Sequence, residues 1–197
     1  MTARSPARPV VLALGSNLGD RRDILQGCVD AIAGIPEVQL MAVSPVYETV
    51  PVGGPPQPDY LNAVLLARTT LSSRVLLEQL HQIEAAFSRV REVRWGPRTL
   101  DIDIITVDKE VCVDPALTLP HPRAHERAFV LVPWHDVDPK AVLPGHGPVA
   151  GLLAATDTNG IRRSTMVLSI PGPGGHGGTG SPPIRGVTGG SAPGGKQ

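Results

Sequence analysis

The segment WGPRTLDIDI, residues 95–104, carries the clearest structural and chemical signal in this chain. Apolar residues alternate with polar ones from Leu100 to Ile104, which predicts a β-strand, and side chains two residues apart on a strand point to the same face. Asp101 and Asp103 are therefore expected to share one face. Two neighbouring carboxylates repel each other, so a partly buried face that carries both of them requires a cation.

The carboxylate pair is typical of a magnesium site. Mg²⁺ prefers oxygen ligands, supplied by one or two carboxylates, water and substrate phosphate. Arg98, just upstream, can bind phosphate oxygens through two parallel hydrogen bonds. The alternative is an edge strand whose acidic face is merely solvated. We favour metal-dependent phosphate chemistry, because apolar residues flank both carboxylates and arginines precede them.

The composition limits the class of protein. The chain has 197 residues, 41% of them hydrophobic, which suits one domain with a substantial core. Its 18 basic and 18 acidic residues cancel, which argues against a large nucleic-acid-binding surface but not against a small anionic ligand. No stretch approaches the roughly 20 apolar residues of a membrane span. We expect a cytoplasmic monomer with no nucleic-acid or membrane partner.

Hydrophobic patterning predicts an α+β domain. The order strand, helix, strand, strand, helix, strand is that of a ferredoxin-like βαββαβ antiparallel sheet with helices packed on one face. Short helices are expected beyond it, towards the C-terminus. The predicted strands are 10–14, 37–48, 60–69 and the segment with Asp101 and Asp103, and the predicted helices follow Asp20 and Ser72 or Ser73.

Composition along the chain predicts the domain boundaries. We expect a flexible N-terminus over residues 1–8, a folded domain over residues 9–160, and a disordered tail over residues 171–197. Of the 27 residues in that tail, 11 are glycine and 5 are proline. The tail has no apolar periodicity, so burial there cannot offset the entropy lost on ordering the chain.

Two further motifs could bind phosphate. In the turn GSNLGD, residues 15–20, glycines could let backbone amides approach an anion, but the dinucleotide and P-loop spacings are absent, so a plain strand-to-helix turn is the alternative. A run of four arginines could be a solvated face or a polyphosphate clamp. Its position directly before the carboxylates favours the clamp. The four residues are Arg89, Arg91, Arg94 and Arg98.

Polar residues elsewhere give weaker signals. His121 and His125 have the i, i+4 spacing of a zinc pair, but Pro122 argues against a continuous helix and no third ligand is evident. Hydrogen bonding of a ligand by His121 and Arg127 is better supported. Asn62, with Tyr60 on the same strand face, could pair with the edge of a heterocycle or with backbone.

Five segments together resemble one enzyme family, 6-hydroxymethyl-7,8-dihydropterin pyrophosphokinase of folate biosynthesis. The resemblance covers residues 10 to about 155. It implies that a pyrophosphoryl group passes from ATP to the hydroxymethyl group of the pterin and that AMP is released, on a ferredoxin-like fold. The segments are LALGSNLGDR (12–21), SPVYET (44–49), QPDYLNAV (57–64), RWGPRTLDIDI (94–104) and LPHPRAHERAFVLVP (119–133).

The resemblance also implies roles for individual residues. Asp101 and Asp103 would hold two Mg²⁺ ions that bridge the ATP phosphates and the attacking hydroxyl, and Arg89 and Arg98 would complete the catalytic set. Glu84 matches an acidic position of the family whose role is left open. The implied nucleotide-binding residues are His81, Arg89, Arg91, Arg98, Ile104, Thr118, His121 and Arg127. The implied pterin-binding residues are Thr49, Val50, Val52, Tyr60, Asn62, Trp95 and Phe129.

The chain departs from the family pattern at a few positions, and two other function classes fit parts of it. Ser88 stands where glycine is expected, Ala116 stands where some relatives carry a basic residue, and the glycine-rich tail has no counterpart. A nucleic-acid polymerising palm also places Asp-x-Asp on such a sheet, but the zero net charge argues against it. A non-catalytic nucleotide-sensing module would not need both carboxylates together with four arginines.

Overall fold

The computed structural model describes residues 6–51, 55–87 and 99–172. Among these residues, a main antiparallel sheet forms the centre of the fold, and two short hairpins and four helices surround it. The strands are β1 (Arg8–Ser16), β2 (Val38–Val43), β3 (Tyr47–Thr49), β4 (Tyr60–Thr69), β5 (Asp101–Val107), β6 (Cys112–Asp114), β7 (Leu117–Leu119), β8 (Val142–Leu143), β9 (Gly147–Pro148) and β10 (Ile161–Arg163). The helices are α1 (Arg21–Ala33), α2 (Ser73–Phe87), α3 (Ala128–Val137) and α4 (Val149–Ala154), with a 3-10 turn at Ala124–Glu126.

The strand order of the main sheet confirms the ferredoxin-like prediction. β1 lies between β4 and β5, and β2 and β3 pair with β4 along its other edge. All of these pairings are antiparallel. Both crossovers of this topology run through a helix, α1 after β1 and α2 after β4, as the βαββαβ order requires.

The predicted strand over residues 37–48 is wrong in extent, because the chain forms two strands there. The backbone N–H of Ser44 donates to the carbonyl of Val64 at 2.9 Å, and the Ser44 hydroxyl accepts the Val64 N–H at 2.9 Å. Pro45 follows and has no N–H to offer to the ladder. The edge strand is therefore interrupted between β2 and β3.

Helices α1 and α2 cover one face of the sheet and begin where the sequence predicts. Asp20 caps α1, since its carboxylate accepts the backbone N–H groups of Arg22 and Asp23. The backbone carbonyl of Ser72 accepts the Leu76 N–H, which starts α2. Residues buried against this face include Leu12, Leu14, Leu65, Leu25, Ile32, Leu76 and Leu80.

The prediction that helices pack on one face is incomplete, because α3 and α4 pack on the other. Val11, Val64 and Ile105 of the sheet lie in one apolar cluster with Leu131 and Trp134 of α3. The pairing of β1 with β5 shifts register beside Ile105, which is a β-bulge. The bulge lets Ile105 face α3, although the neighbouring Ile104 packs in the other cluster.

The fold extends beyond both predicted boundaries of the central domain. β10 pairs with β3 after residue 160, and Leu168 is buried in the core with α1. Arg8 is the first residue of β1 and forms an ion pair with Glu110 at 2.5 Å. β10 is only three residues long and gives little hydrophobic pattern, which is why the sequence did not reveal it. Most of the predicted tail, 173–197, lies outside the described residues, and no helix within them is long and apolar enough to cross a membrane.

Candidate active site

β5 places Asp101 and Asp103 on the same face of the sheet, as predicted. Asp101 pairs with Gly15 of β1 and Asp103 pairs with Ala13. Ile102, between them, points into the core on the α1 and α2 face and is 4% exposed. The apolar residue anchors the strand, so the two carboxylates project side by side from a rigid element.

Gly15 forms an open floor between the acidic pair and an amide. It pairs with Asp101 on one side and with Asn62 of β4 on the other. A Cβ atom at Gly15 would lie 3.2 Å from Oδ1 of Asn62 and 3.9 Å from Cβ of Asp101. The missing side chain leaves room above the sheet for a ligand that spans the amide and the carboxylates.

Asn62, Thr49 and Tyr60 come together on this face. The side-chain Nδ2 of Asn62 donates to the Thr49 hydroxyl at 2.7 Å, and both residues are buried. Tyr60 pairs with Thr49 across the strands and lies two residues before Asn62, so it shares their face. This hydrogen bond satisfies the buried amide N–H group and fixes the orientation of the Asn62 side chain.

A basic group lies against the acidic pair. Nη1 of Arg127 donates to Oδ2 of Asp103 at 3.0 Å, and Nε2 of His121 lies 3.8 Å from the same oxygen. The Arg127 guanidinium also lies over the Phe129 ring, 5.5 Å from its centroid. Two predicted nucleotide-binding residues and one predicted pterin-binding residue therefore meet beside Asp103.

The β-bulge holds His121 in this position. The backbone N–H of His121 donates to the carbonyl of Ile105 at 2.9 Å. Burial lowers the pKa of His121 below its ordinary value, the charge of Arg127 acts in the same direction, and Asp103 opposes both. Nδ1 of His121 accepts the Arg123 N–H at 3.1 Å, so the proton of the neutral ring is assigned to Nε2, on the side of Asp103.

Glu84 contacts the acidic strand, a role that the sequence did not reveal. Its Oε1 accepts the backbone N–H of Ile102 at 2.9 Å, and the residue is only 5% exposed. The hydrogen bond fixes the peptide between Asp101 and Asp103. The available signal was its helical spacing, because Glu84 lies four residues after the buried Leu80 and so on the inward face of α2.

The GSNLGD turn uses its polar groups internally. The Asp20 carboxylate occupies the N-terminus of α1, and Ser16 donates its hydroxyl to the carbonyl of Thr99 at 2.6 Å. Asn17 donates its side-chain amide to Gln57 and to the carbonyl of Pro58. This favours a plain strand-to-helix turn over a phosphate cradle, because the helix N-terminus already has an anion.

Comparisons with known proteins identify the family. Residues 11–139 match the model of the 7,8-dihydro-6-hydroxymethylpterin-pyrophosphokinase family, known as HPPK. The chain belongs to this family. A 2-amino-4-hydroxy-6-hydroxymethyldihydropteridine pyrophosphokinase of Pseudomonas aeruginosa is 43% identical over 154 residues, which are 78% of this chain and 95% of the relative. One of Mycobacterium tuberculosis is 47% identical over 158 residues, 74% of this chain and 82% of the relative.

Solved HPPK structures have the same fold. The HPPK-DHPS of Plasmodium falciparum, solved with pteroate, superposes with a TM-score of 0.60 at 14% sequence identity. The match covers 79% of this chain and 43% of the Plasmodium chain, so this chain spans less than half of that protein. At this identity the likeness concerns the fold alone.

The remaining residues that the HPPK resemblance implied are more scattered. The side chain of Ile104 packs in the core beside α1 and α2, so only its backbone could meet a nucleotide. His81 is exposed on α2, Thr118 is half-buried on β7, and Val50 is exposed after β3. These roles stay predictions. Val52, Arg89, Arg91, Trp95 and Arg98 lie outside the described residues, as do Ser88 and Arg94.

The zinc interpretation of His121 and His125 has no support in the geometry. His125 stacks on His146, with ring centroids 4.1 Å apart and planes inclined by 12°, whereas His121 faces Asp103. Within residues 6–51, 55–87 and 99–172, no three His, Cys, Asp or Glu side chains lie close enough to hold a metal ion by themselves. A metal at the acidic pair would therefore need ligands from substrate or water.

Proposed function

We propose that this chain transfers a pyrophosphoryl group from ATP to the hydroxymethyl group of 6-hydroxymethyl-7,8-dihydropterin, yielding the pterin diphosphate and AMP in folate biosynthesis. The observation that carries the proposal is that Asp101 and Asp103 share one sheet face with Asn62, across the open floor at Gly15. Relatives named as pyrophosphokinases of this pterin match over most of their length. A phosphate site thus adjoins a site suited to a polar heterocycle.

The acceptor side suits a flat, polar ring. Nδ2 of Asn62 is held by Thr49, which aims Oδ1 over Gly15, where it can accept an N–H of the pterin. Tyr60 and Phe129 offer aromatic faces for stacking. Trp95, Val50 and Val52 complete the proposed pterin-binding set.

The donor side suits magnesium and polyphosphate. Two carboxylates are the oxygen ligands that Mg²⁺ prefers, and in the structure a guanidinium already lies against one of them. Asp101 and Asp103 would hold the metal, and we propose two ions. Mg²⁺ bound there would neutralise the phosphate charges and orient the attacking hydroxyl.

The charged side chains near Asp103 would act on the transferred group. The pterin hydroxyl attacks the β-phosphorus and loses its proton to solvent, the bond from that phosphorus to the α–β bridging oxygen breaks, and AMP leaves with the bridging oxygen. Arg127 and the Nε2 proton of His121 would stabilise charge on the phosphate oxygens, because both lie beside Oδ2 of the proposed metal ligand Asp103. Arg89, Arg91 and Arg98 are proposed as further phosphate ligands, and His81, Thr118 and the backbone of Ile104 as nucleotide contacts.

A non-catalytic nucleotide-sensing module on the same fold is the alternative. It predicts ATP binding without AMP production. The proposed acceptor site lies beside the carboxylate pair, and this proximity favours catalysis. A module that only binds ATP does not require an acceptor site next to its metal ligands. We further propose that the protein works as a cytoplasmic monomer without nucleic-acid or membrane partners.

One assay distinguishes these functions. The purified chain is incubated with Mg²⁺, ATP and the pterin alcohol, and products are followed by mass spectrometry. We expect AMP and pterin diphosphate in equal amounts. ADP with pterin monophosphate would indicate single phosphoryl transfer, and ATP binding without any product would favour the sensing module.

A further inference from the structure

Asn17, in the turn after β1, ties this turn to the segment that precedes β4. Its side chain is buried, with the residue 2% exposed. Nδ2 donates to Oε1 of Gln57 at 2.9 Å and to the carbonyl of Pro58 at 3.1 Å. A buried amide that makes two such bonds holds its partners in one arrangement, because breaking either bond leaves a desolvated polar group.

The same oxygen of Gln57 also binds a residue of the proposed pterin site. Oε1 of Gln57 accepts the hydroxyl of Tyr60 at 3.1 Å. Tyr60 shares its face with Asn62 and pairs with Thr49. The amide of Asn17 thus connects through one acceptor atom to the aromatic ring at the edge of the site.

The first residue of α1, Arg21, also binds the segment that precedes β4. Nη1 of Arg21 donates to the carbonyl of Asp59 at 2.7 Å and lies 3.2 Å from Oε1 of Glu48. Asn17 of the turn therefore binds Gln57 and Pro58, and Arg21 at the start of α1 binds Asp59, so each of the three residues before Tyr60 is held. The turn itself is fixed by the cap of α1 at Asp20.

We propose that Asn17 and Gln57 are positioning residues that set the affinity for the pterin by holding the Tyr60 ring in place. This inference rests on the proposed function, since it assumes that Tyr60 contacts the pterin. It assigns to the GSNLGD motif a role in acceptor binding rather than in phosphate binding. Neither Asn17 nor Gln57 needs to touch the substrate.

Kinetics of paired variants test the inference. Asn17→Ala and Asn17→Asp both remove the donor, and the latter preserves the shape of the side chain. Both are expected to raise KM for the pterin about tenfold, with KM for ATP and kcat changed by less than about twofold. A purely structural role would lower the amount of folded enzyme without changing KM for one substrate selectively.

Variants of Gln57 and Tyr60 sharpen the test. Gln57→Glu keeps an acceptor for both donors and is expected to retain a KM near that of the wild type, whereas Gln57→Leu should behave like Asn17→Ala.

On a Tyr60→Phe background, which lacks the hydroxyl, Asn17→Ala should have a smaller effect than on the wild type. Thr69→Val, which removes a buried hydroxyl that donates to the Glu37 carbonyl at the far end of β4, is the control for loss of stability and should leave KM for the pterin unchanged.

Binding measurements separate this inference from the proposed function. Calorimetry gives Kd for the pterin alcohol with Mg²⁺ and a non-hydrolysable ATP analogue, without turnover. A wild type that binds the pterin but releases no AMP would contradict the proposed function, and Kd would still test the inference. Equal Kd values for the wild type and Asn17→Ala would overturn the positioning role of Asn17, and so would equal increases in KM for the pterin and for ATP. A wild type that fails to bind the pterin would overturn it as well.

Discussion

Nη1 of Arg127 lies 3.0 Å from Oδ2 of Asp103, so a guanidinium forms an ion pair with one of the two proposed metal ligands. The Asp103 side chain is 33% exposed and that of Arg127 is 20% exposed, so solvent screens the pair only in part. A metal ion and the guanidinium would compete for this carboxylate. Arg127 would then move towards the ATP phosphates when metal binds.

The Arg127→Leu variant tests this competition. Without ATP, it is expected to bind Mn²⁺ up to about fivefold more tightly than the wild type. The reason is that Mn²⁺ no longer has to displace an ion pair between Arg127 and Asp103 worth about 1 kcal/mol. With ATP present, its affinity for the nucleotide should fall. Electron paramagnetic resonance of free Mn²⁺ measures the first, and calorimetry with a non-hydrolysable ATP analogue measures the second. Arg127→Lys, which keeps the charge, should resemble the wild type without ATP, and weaker Mn²⁺ binding by Arg127→Leu would refute the competition.

The hydrogen bond from Ile102 to Glu84 should matter for both stability and turnover. Glu84→Ala leaves the buried Ile102 N–H without this acceptor, which costs about 1–3 kcal/mol of unfolding free energy. It also frees the peptide between Asp101 and Asp103, so kcat should fall more than the loss of folded protein explains. Urea denaturation and AMP release measure the two effects.

Two matched variants on α2 control for this prediction. Glu84→Gln keeps a carbonyl oxygen for the Ile102 N–H and should retain most of the activity. Glu78→Ala removes an exposed glutamate from the same helix and should change neither property. If Glu84→Ala kept wild-type kcat once corrected for folded protein, the role in holding the acidic strand would be wrong.

Gly15→Ala should weaken binding of the pterin. Its Cβ would lie 3.2 Å from Oδ1 of Asn62, so the amide would have to shift, and the space above the sheet would shrink. We expect Kd for the pterin to rise about tenfold or more. Gly151→Ala is the matched control, because a Cβ on this α4 residue meets nothing within 4 Å. Unchanged pterin affinity in Gly15→Ala would contradict the proposed floor of the site.

Tyr47 should make stability fall at alkaline pH. Burial and the hydrogen bond to Asp136 raise the pKa of its phenol from 10.0 to about 12. Between these two values the unfolded chain loses the proton while the folded protein keeps it. The stabilisation is therefore complete below pH 10 and is lost as the pH rises to about 12.

Absorbance titration at alkaline pH measures this directly, because the chain has only two tyrosines, Tyr47 and Tyr60. The folded wild type should show an ionisation near pH 12 that Tyr47→Phe lacks, and Tyr47→Phe should lose less stability above pH 10. An ionisation of Tyr47 near pH 10 would show that neither burial nor the hydrogen bond to Asp136 raises its pKa.

Local patterns in the sequence predicted much of this fold. The bounds of β4, the cap at Asp20 and the shared face of Asp101 and Asp103 all follow from hydrophobic period and capping chemistry. The split between β2 and β3 could have been predicted from Pro45. These features depend on residues within a few positions of each other, where sequence is most informative.

Contacts between distant segments could not be predicted in this way. The bond from Ile102 to Glu84 spans 18 residues, and the contact of Arg127 with Asp103 spans 24. The bulge at Ile105, which sends Ile105 to α3 and holds His121, depends on the packing of both sheet faces at once. Tertiary packing decides such features, and the pattern of a single strand does not contain them.

The central claim is that the shared face of Asp101 and Asp103 is the site of metal-dependent pyrophosphoryl transfer. The rate of AMP release by the Asp103→Asn variant tests this claim most directly. The variant keeps the size of the side chain but removes the charge. With saturating ATP, Mg²⁺ and pterin alcohol, we predict a fall of roughly 10³-fold or more and a melting temperature close to that of the wild type. Asp30→Asn, at an exposed position of α1 on the opposite face of the sheet, is the control. A folded Asp103→Asn enzyme that releases AMP at the wild-type rate would contradict the account.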